Sequence, residues 1–298
     1  MPFVTALALA RSPKFDLDKA PVRWNPGPPF ESLDLRPGRV VLIGAPPGAG
    51  KTTLSLQLVS NLLERYPTLR GIVGNVGTAP DVLLEKMIAR YASVPLDAIQ
   101  DRTMTSDERA RVDAALEAHA DVLDRLAFLE APYSMGHLRK SMTDFQAALA
   151  VVDYAQRFTV GDGKDERQKL DALMSQVRTV ASAGACVVVI SSVSRGKAPN
   201  GSSSYSGLSL ASFRGSAEFE FGADSAYILD SAPEGIATLR CAKNRFRQSQ
   251  DIPLRFCGAF QRFESGDVLD GFDAAPAPAT SPVLETLPPR KKKGKGGT

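Results

Sequence analysis

The stretch from Arg39 to Thr53 constrains this chain more than any other: Arg39-Val-Val-Leu-Ile-Gly44-Ala-Pro-Pro-Gly48-Ala-Gly50-Lys51-Thr52-Thr53. An apolar run of strand length enters a Gly/Pro-rich turn, and Leu54, Leu56, Leu58, Val59, Leu62 and Leu63 then recur at helical spacing. Strand, glycine turn and helix in that order make a phosphate-binding loop. Gly48 and Gly50 let backbone N–H groups turn inward around phosphate oxygens, and the new helix adds its positive N-terminal end. Lys51 is placed to reach the β- and γ-phosphates, and the Thr52 hydroxyl to ligate Mg²⁺. The ligands expected are therefore a nucleoside phosphate and Mg²⁺, held by Gly44, Ala45, Gly48, Ala49, Gly50, Lys51, Thr52 and Thr53. The usual first glycine of such a loop falls on Ala45, so Gly44 is expected to supply the tight turn after the strand.

Strand-like and helix-like segments alternate along the chain. Gly71–Val76, Leu126–Leu129, Ala148–Asp153 and Cys186–Ile190 read as strands. Helical patterns follow Thr78, Thr105 and Lys164, with Thr78 expected as an N-cap and Thr105-Ser-Asp-Glu108 as a capping box opening one long helix. Such alternation predicts an α/β fold: a mostly parallel central sheet flanked by helices. Four more strands, the last at Ala259–Phe263, would end in a C-terminal β-hairpin. Proline-rich residues 1–29 read as an arm or linker that Trp24 would anchor, 30–271 as the folded domain, and 272–298 as a disordered basic tail.

The net charge of +3 is confined to that tail, where five basic residues face two acidic ones from Asp273 onward. Any nucleic-acid surface on the remainder must therefore be local. Three scattered cysteines and two distant histidines match no disulfide framework or metal-ligand spacing, and no stretch has the length of a membrane span. A cytoplasmic protein with no membrane contact is expected.

The order and spacing of five segments resemble the RecA-like P-loop NTPase domain of DnaB-type replicative helicases. They are the Gly44–Thr52 loop, Val151-Val-Asp153-Tyr154-Ala-Gln156, Ser191-Ser-Val-Ser-Arg195, Phe213–Asp224, and Lys243-Asn-Arg245. The resemblance implies a helicase-like ATPase assembled as a homo-oligomer, in that family a hexameric ring, with single-stranded DNA in its channel. It implies that Asp153 holds Mg²⁺ with Thr52. Arg245, assisted by Lys243, would reach a nucleotide on the next subunit, with Arg247 as the alternative; Arg195, Arg214 and Gly215 would meet DNA phosphates.

Two departures stand out. Gly77 falls where the family carries its water-activating Glu, and Ser192 where it carries a Gln. The nearest carboxylate, Asp81, reads equally well as a helix cap. A second reading follows: an ATP-binding assembly or regulatory protein on DNA with little turnover. A recombinase-like filament would need a subunit-linking segment near Trp24. The family's separate N-terminal helical domain has no counterpart in the forty or so residues before the loop.

Overall fold

The computed structural model describes residues 4–12, 18, 20–160, 165–193, 196–197, 203–204, 208–213, 219 and 221–266. In chain order, the first elements are α1 (Ala6–Ala10), β1 (Val40–Ala45), α2 (Lys51–Arg65), β2 (Gly71–Asn75), α3 (Pro80–Ala92), α4 (Leu96–Gln100), α5 (Ser106–Ala118), α6 (Ala120–Asp124) and β3 (Leu126–Phe128). The chain continues with α7 (Met135–Phe145), β4 (Leu149–Asp153), α8 (Glu166–Ser182), β5 (Cys186–Ser192), β6 (Gly196–Lys197) and β7 (Ser203–Ser204). It closes with β8 (Ser225–Ser231), β9 (Ile236–Asn244), β10 (Ile252–Cys257) and β11 (Arg262–Ser265).

The main sheet runs β11-β10-β9-β8-β1-β5-β4-β2-β3. From β8 to β3 every neighbouring pair is parallel, whereas β9, β10 and β11 add on as antiparallel strands. β1 is buried along its whole length, and its residues divide between two layers by the period-2 alternation of a strand. Val41 and Ile43 pack with Leu54, Leu58 and Leu62 of α2; Val40 and Leu42 pack with Leu173 and Val177 of α8 and Leu138 of α7. The apolar stripe that announced α2 is thus the stripe that covers one sheet face.

Gly44 departs from its expected role. It lies inside β1, with no left-handed φ, and the turn begins only after Ala45. What requires glycine is space: a Cβ there would sit 2.4 Å from Phe213 Cε1 and 2.8 Å from Val193 Cγ1. Gly44→Ala is expected to destabilise the fold by about 1–3 kcal/mol through overpacking, read as a lower urea midpoint at unchanged m-value.

Helix boundaries follow the caps more than the hydrophobic pattern. Thr105 forms the expected capping box with Glu108. Thr78 does not cap α3, whose N-cap is Ala79, with Pro80 opening the helix. The single long helix expected after Thr105 breaks at His119, whose φ of −108° and ψ of 13° leave the helical region, so α5 and α6 are separate. α7 was not legible as a helix; Ser134 caps it by accepting from the His137 N–H. The last strand starts at Arg262 instead of Ala259, because Gln261 takes a φ of +48° in a turn closed by its N–H on Gly258 O.

Two side chains of α2 fasten that turn and strand. Gln57 donates to Phe263 O (2.8 Å) and accepts from Phe263 N (2.7 Å), while Thr53 donates to Gln261 Oε1 (2.8 Å). Trp24 packs into this chain's own core beside Phe30, Leu33 and Leu35, and its backbone N–H donates to Leu35 O.

Candidate nucleotide-binding site

The loop between β1 and α2 lies at the carboxyl edge of the parallel strands, where open α/β sheets bind ligands. Gly48 has φ +80° and Gly50 φ +87°, conformations that any L side chain would strain. A Cβ on Gly50 would also come within 2.9 Å of the Phe263 ring, which stacks on Phe256 beneath the loop. Ala45 ends β1 and is fully buried, and Ala49 is nearly so. Lys51 folds back on its loop, donating to Ala45 O (3.1 Å) and Pro46 O (2.7 Å). Burial lowers its pKa, and the nearby Asp153 carboxylate opposes that shift.

Asp153 ends β4, which is separated from β1 by β5, yet its carboxylate reaches the first turn of α2. Thr52 Oγ1 donates to Asp153 Oδ2 at 2.8 Å. A hydroxyl and a carboxylate meeting in this way are hard oxygen donors of the kind Mg²⁺ takes, alongside waters and substrate phosphates. The Asp153 residue is only 3% exposed, and burial raises its pKa; hydrogen bonds from Thr52 and Asn75 and the charge of Lys51 pull the other way.

Asn75 is the residue sequence reasoning missed. It ends β2 in register with Asp153, and its Nδ2 donates to Asp153 Oδ2 at 2.6 Å. Its Oδ1 accepts from the Gly77 N–H at 2.9 Å. The end of β2 therefore presents a carboxamide, and Gly77 presents no side chain. A second carboxamide, Gln156, follows β4 and donates to Ser191 Oγ at 2.8 Å, beside Ser192, which pairs with Ala45. A polar side chain ending a buried strand was the available signal for Asn75.

Arg245 and Lys243 lie at the opposite edge of the sheet. Asn244 pairs with Ser225, and Ser225 with Val41 near the start of β1, whereas the phosphate loop leaves the end of β1. Arg245 donates to Phe221 O at 2.7 Å and approaches Asp224 Oδ1 at 3.9 Å; Asp224 in turn accepts from Val40 N. Lys243 donates to Ala223 O at 2.8 Å. Arg247 lies 3.9 Å from buried Asp34, on which Arg23, Arg36 and Arg39 also converge, and Arg39 stacks on the Phe246 ring. Four guanidiniums around one carboxylate give this cluster a local surplus of positive charge. Sequence reasoning did not assemble this cluster, because its members come from three separate segments. Arg195, Arg214 and Gly215 lie outside the described residues.

A phosphate loop at the carboxyl edge of a mostly parallel sheet, with a strand-end aspartate on its threonine, defines a P-loop domain of the RecA-like fold. The sequence profile of the DnaB-like helicase C-terminal domain matches residues 32–265, and the chain belongs to that family. Among solved structures, the chain is similar to an ATPase domain, with a TM-score of 0.68 and 16% identity over 78% of this chain and 86% of that one. It is similar also to a DnaB-like replicative helicase solved with attention to its interactions with primase. There the TM-score is 0.68 and the identity 16%, over 77% of this chain and 58% of that longer one. At this identity the likeness shows the fold. No helix among the described residues is long and apolar enough to cross a membrane.

Proposed function

We propose that the chain is a subunit of a ring-shaped, DnaB-like ATPase that binds MgATP between neighbouring copies and single-stranded DNA in the ring's channel. The observation that carries the proposal is the separation of the two halves of the site. Lys51, Thr52 and Asp153 gather at one edge of the sheet and Arg245 emerges at the other. At about 3.3 Å per strand residue, β1 alone sets them more than 10 Å apart. Arg245 can complete a phosphate site only on another copy, and a heterologous contact of that kind closes into a ring when its rotation allows.

Within this reading, Lys51 and the backbone N–H groups of Gly48–Thr53 hold the phosphates. Thr52 and Asp153 would hold Mg²⁺, directly or through water. Mg²⁺, when bound, neutralises charge on the β- and γ-phosphate oxygens. Arg245, with Lys243 beside it and the arginines around Asp34 behind it, offers positive charge to the neighbour's γ-phosphate. Arg195, Arg214 and Gly215 are proposed to contact the DNA backbone, where basic and small residues suit close approach to phosphates. The folded domain is proposed to span 30–271, with flanking segments 1–29 and 272–298, in a cytoplasmic protein.

Asn75 and Gly77 favour a second reading in which the ring binds ATP and turns it over slowly. A carboxamide has no basic site near neutral pH, so it cannot take the proton of an attacking water, and losing a general base typically costs about 10²–10⁴-fold in rate. Steady-state ATPase measured with and without single-stranded DNA separates the readings. DNA-stimulated turnover supports the motor; bound ATP without turnover supports an assembly factor. Gly77→Glu is expected to raise turnover by at least about tenfold in the same assay. No rise would mean that another group already activates the water.

A further inference from the structure

Lys86, on the second turn of α3, carries a half-buried ammonium that pairs with no carboxylate among the described residues. Burial is the cause of its lowered pKa, and Gln261 Oε1, at 2.8 Å, is its hydrogen-bond partner there. The same oxygen accepts from Thr53 Oγ1 at 2.8 Å, so Lys86 and Thr53 are immediate neighbours. Thr53 stands in the first turn of α2, directly after the residue whose hydroxyl meets Asp153. The Gln261 turn is itself held against this corner by Gln57 on Phe263 and by the Leu96 N–H on Ala259 O. A desolvated ammonium with a single neutral acceptor keeps two N–H donors in hand, and a phosphate oxygen is the partner that would offset its burial.

We propose that Lys86 is a second cation of the nucleotide site, contacting the α-phosphate side of a nucleoside di- or triphosphate, with Gln261 holding the ammonium in place when no phosphate engages it. The inference rests on the nucleotide-binding reading of the Gly48–Thr53 loop. Lys51 addresses the outer phosphates from the loop, and Lys86 approaches from the α3 side, beside Thr53. ADP therefore suffices as ligand.

The test is ADP affinity by titration calorimetry for the full chain and for Lys86→Met, Lys86→Gln, Gln261→Ala and Lys51→Ala, at two ionic strengths. Both Lys86 variants are expected to bind ADP about 10- to 100-fold more weakly and to lose part of the salt dependence, which a packing role would not change. Gln261→Ala is expected to stay within about threefold of the parent chain, because the ammonium retains its phosphate partner. Wild-type affinity in both Lys86 variants, with binding lost in Lys51→Ala, would overturn the inference and leave the loop reading intact. No ADP binding by the parent chain would overturn both.

Discussion

Asp153→Asn is expected to raise thermal stability and to abolish Mg²⁺-dependent nucleotide turnover, two effects of opposite sign from one substitution. Asp153 is almost fully enclosed, and its pKa lies above the ordinary carboxylate value because desolvation penalises the charged form. An acid whose folded pKa is raised weakens the fold as pH climbs from the unfolded pKa through the folded one. Above that window the penalty is fully present. Asparagine removes the charge and keeps an acceptor for the Thr52 hydroxyl and the Asn75 amide, which now meet on Asp153 Oδ2. Each 1 kcal/mol recovered would raise Tm by roughly 2–4 °C in a domain of this size. On the proposed reading the same change replaces an anionic Mg²⁺ donor with a neutral one, and turnover should fall by about 10²-fold or more. Calorimetric scans without Mg²⁺, beside ATPase assays with it, read the two effects separately. A lower Tm together with retained turnover would show that Asp153 is a structural acid.

The second large effect belongs to Arg245. Arg245→Ala is expected to leave ATP affinity within about threefold of wild type while reducing turnover by about 10³–10⁵-fold, the range of an arginine supplied across an interface. Among the described residues its contacts are Phe221 O and Asp224, beside the start of β1 and away from its own phosphate loop. Substitution should thus spare the binding half of the site. Equal losses of affinity and turnover would place Arg245 in the fold's own architecture, since Asp224 also holds Arg178 and the Val40 N–H.

Much of this was legible in the sequence because short-range physics governs it. The strand, glycine turn and helix of residues 39–63 follow from apolar periodicity and from two glycines that must take positive φ, and the mostly parallel sheet follows from the alternation of strands and helices along the chain. The misses share a different cause. Gly44 was read through local turn chemistry, but it is fixed by Phe213 and Val193, which lie far away in sequence. α7 has only three buried residues, Met135, Leu138 and Met142, in eleven, too sparse a stripe for periodicity to reveal. The role of Asn75 depends on the order of strands in the sheet: only because β2 and β4 are neighbours does its amide meet Asp153. The four arginines around Asp34 likewise converge through the fold, and no spacing in the sequence encodes the cluster.

The central claim is that each nucleotide site is completed by another copy of the chain, and subunit mixing tests it most directly. Lys51→Ala lacks the lysine proposed to bind phosphate but keeps Arg245; Arg245→Ala lacks the arginine but keeps the loop. Each alone should be inactive in ATP turnover. Mixed in equal amounts under assembly conditions, the two should regain a fraction of wild-type activity, because some interfaces then pair an intact loop with an intact arginine. Mixtures as inactive as either variant, with wild-type turnover measured in the same assay and mixed assembly verified, would contradict a site shared between subunits.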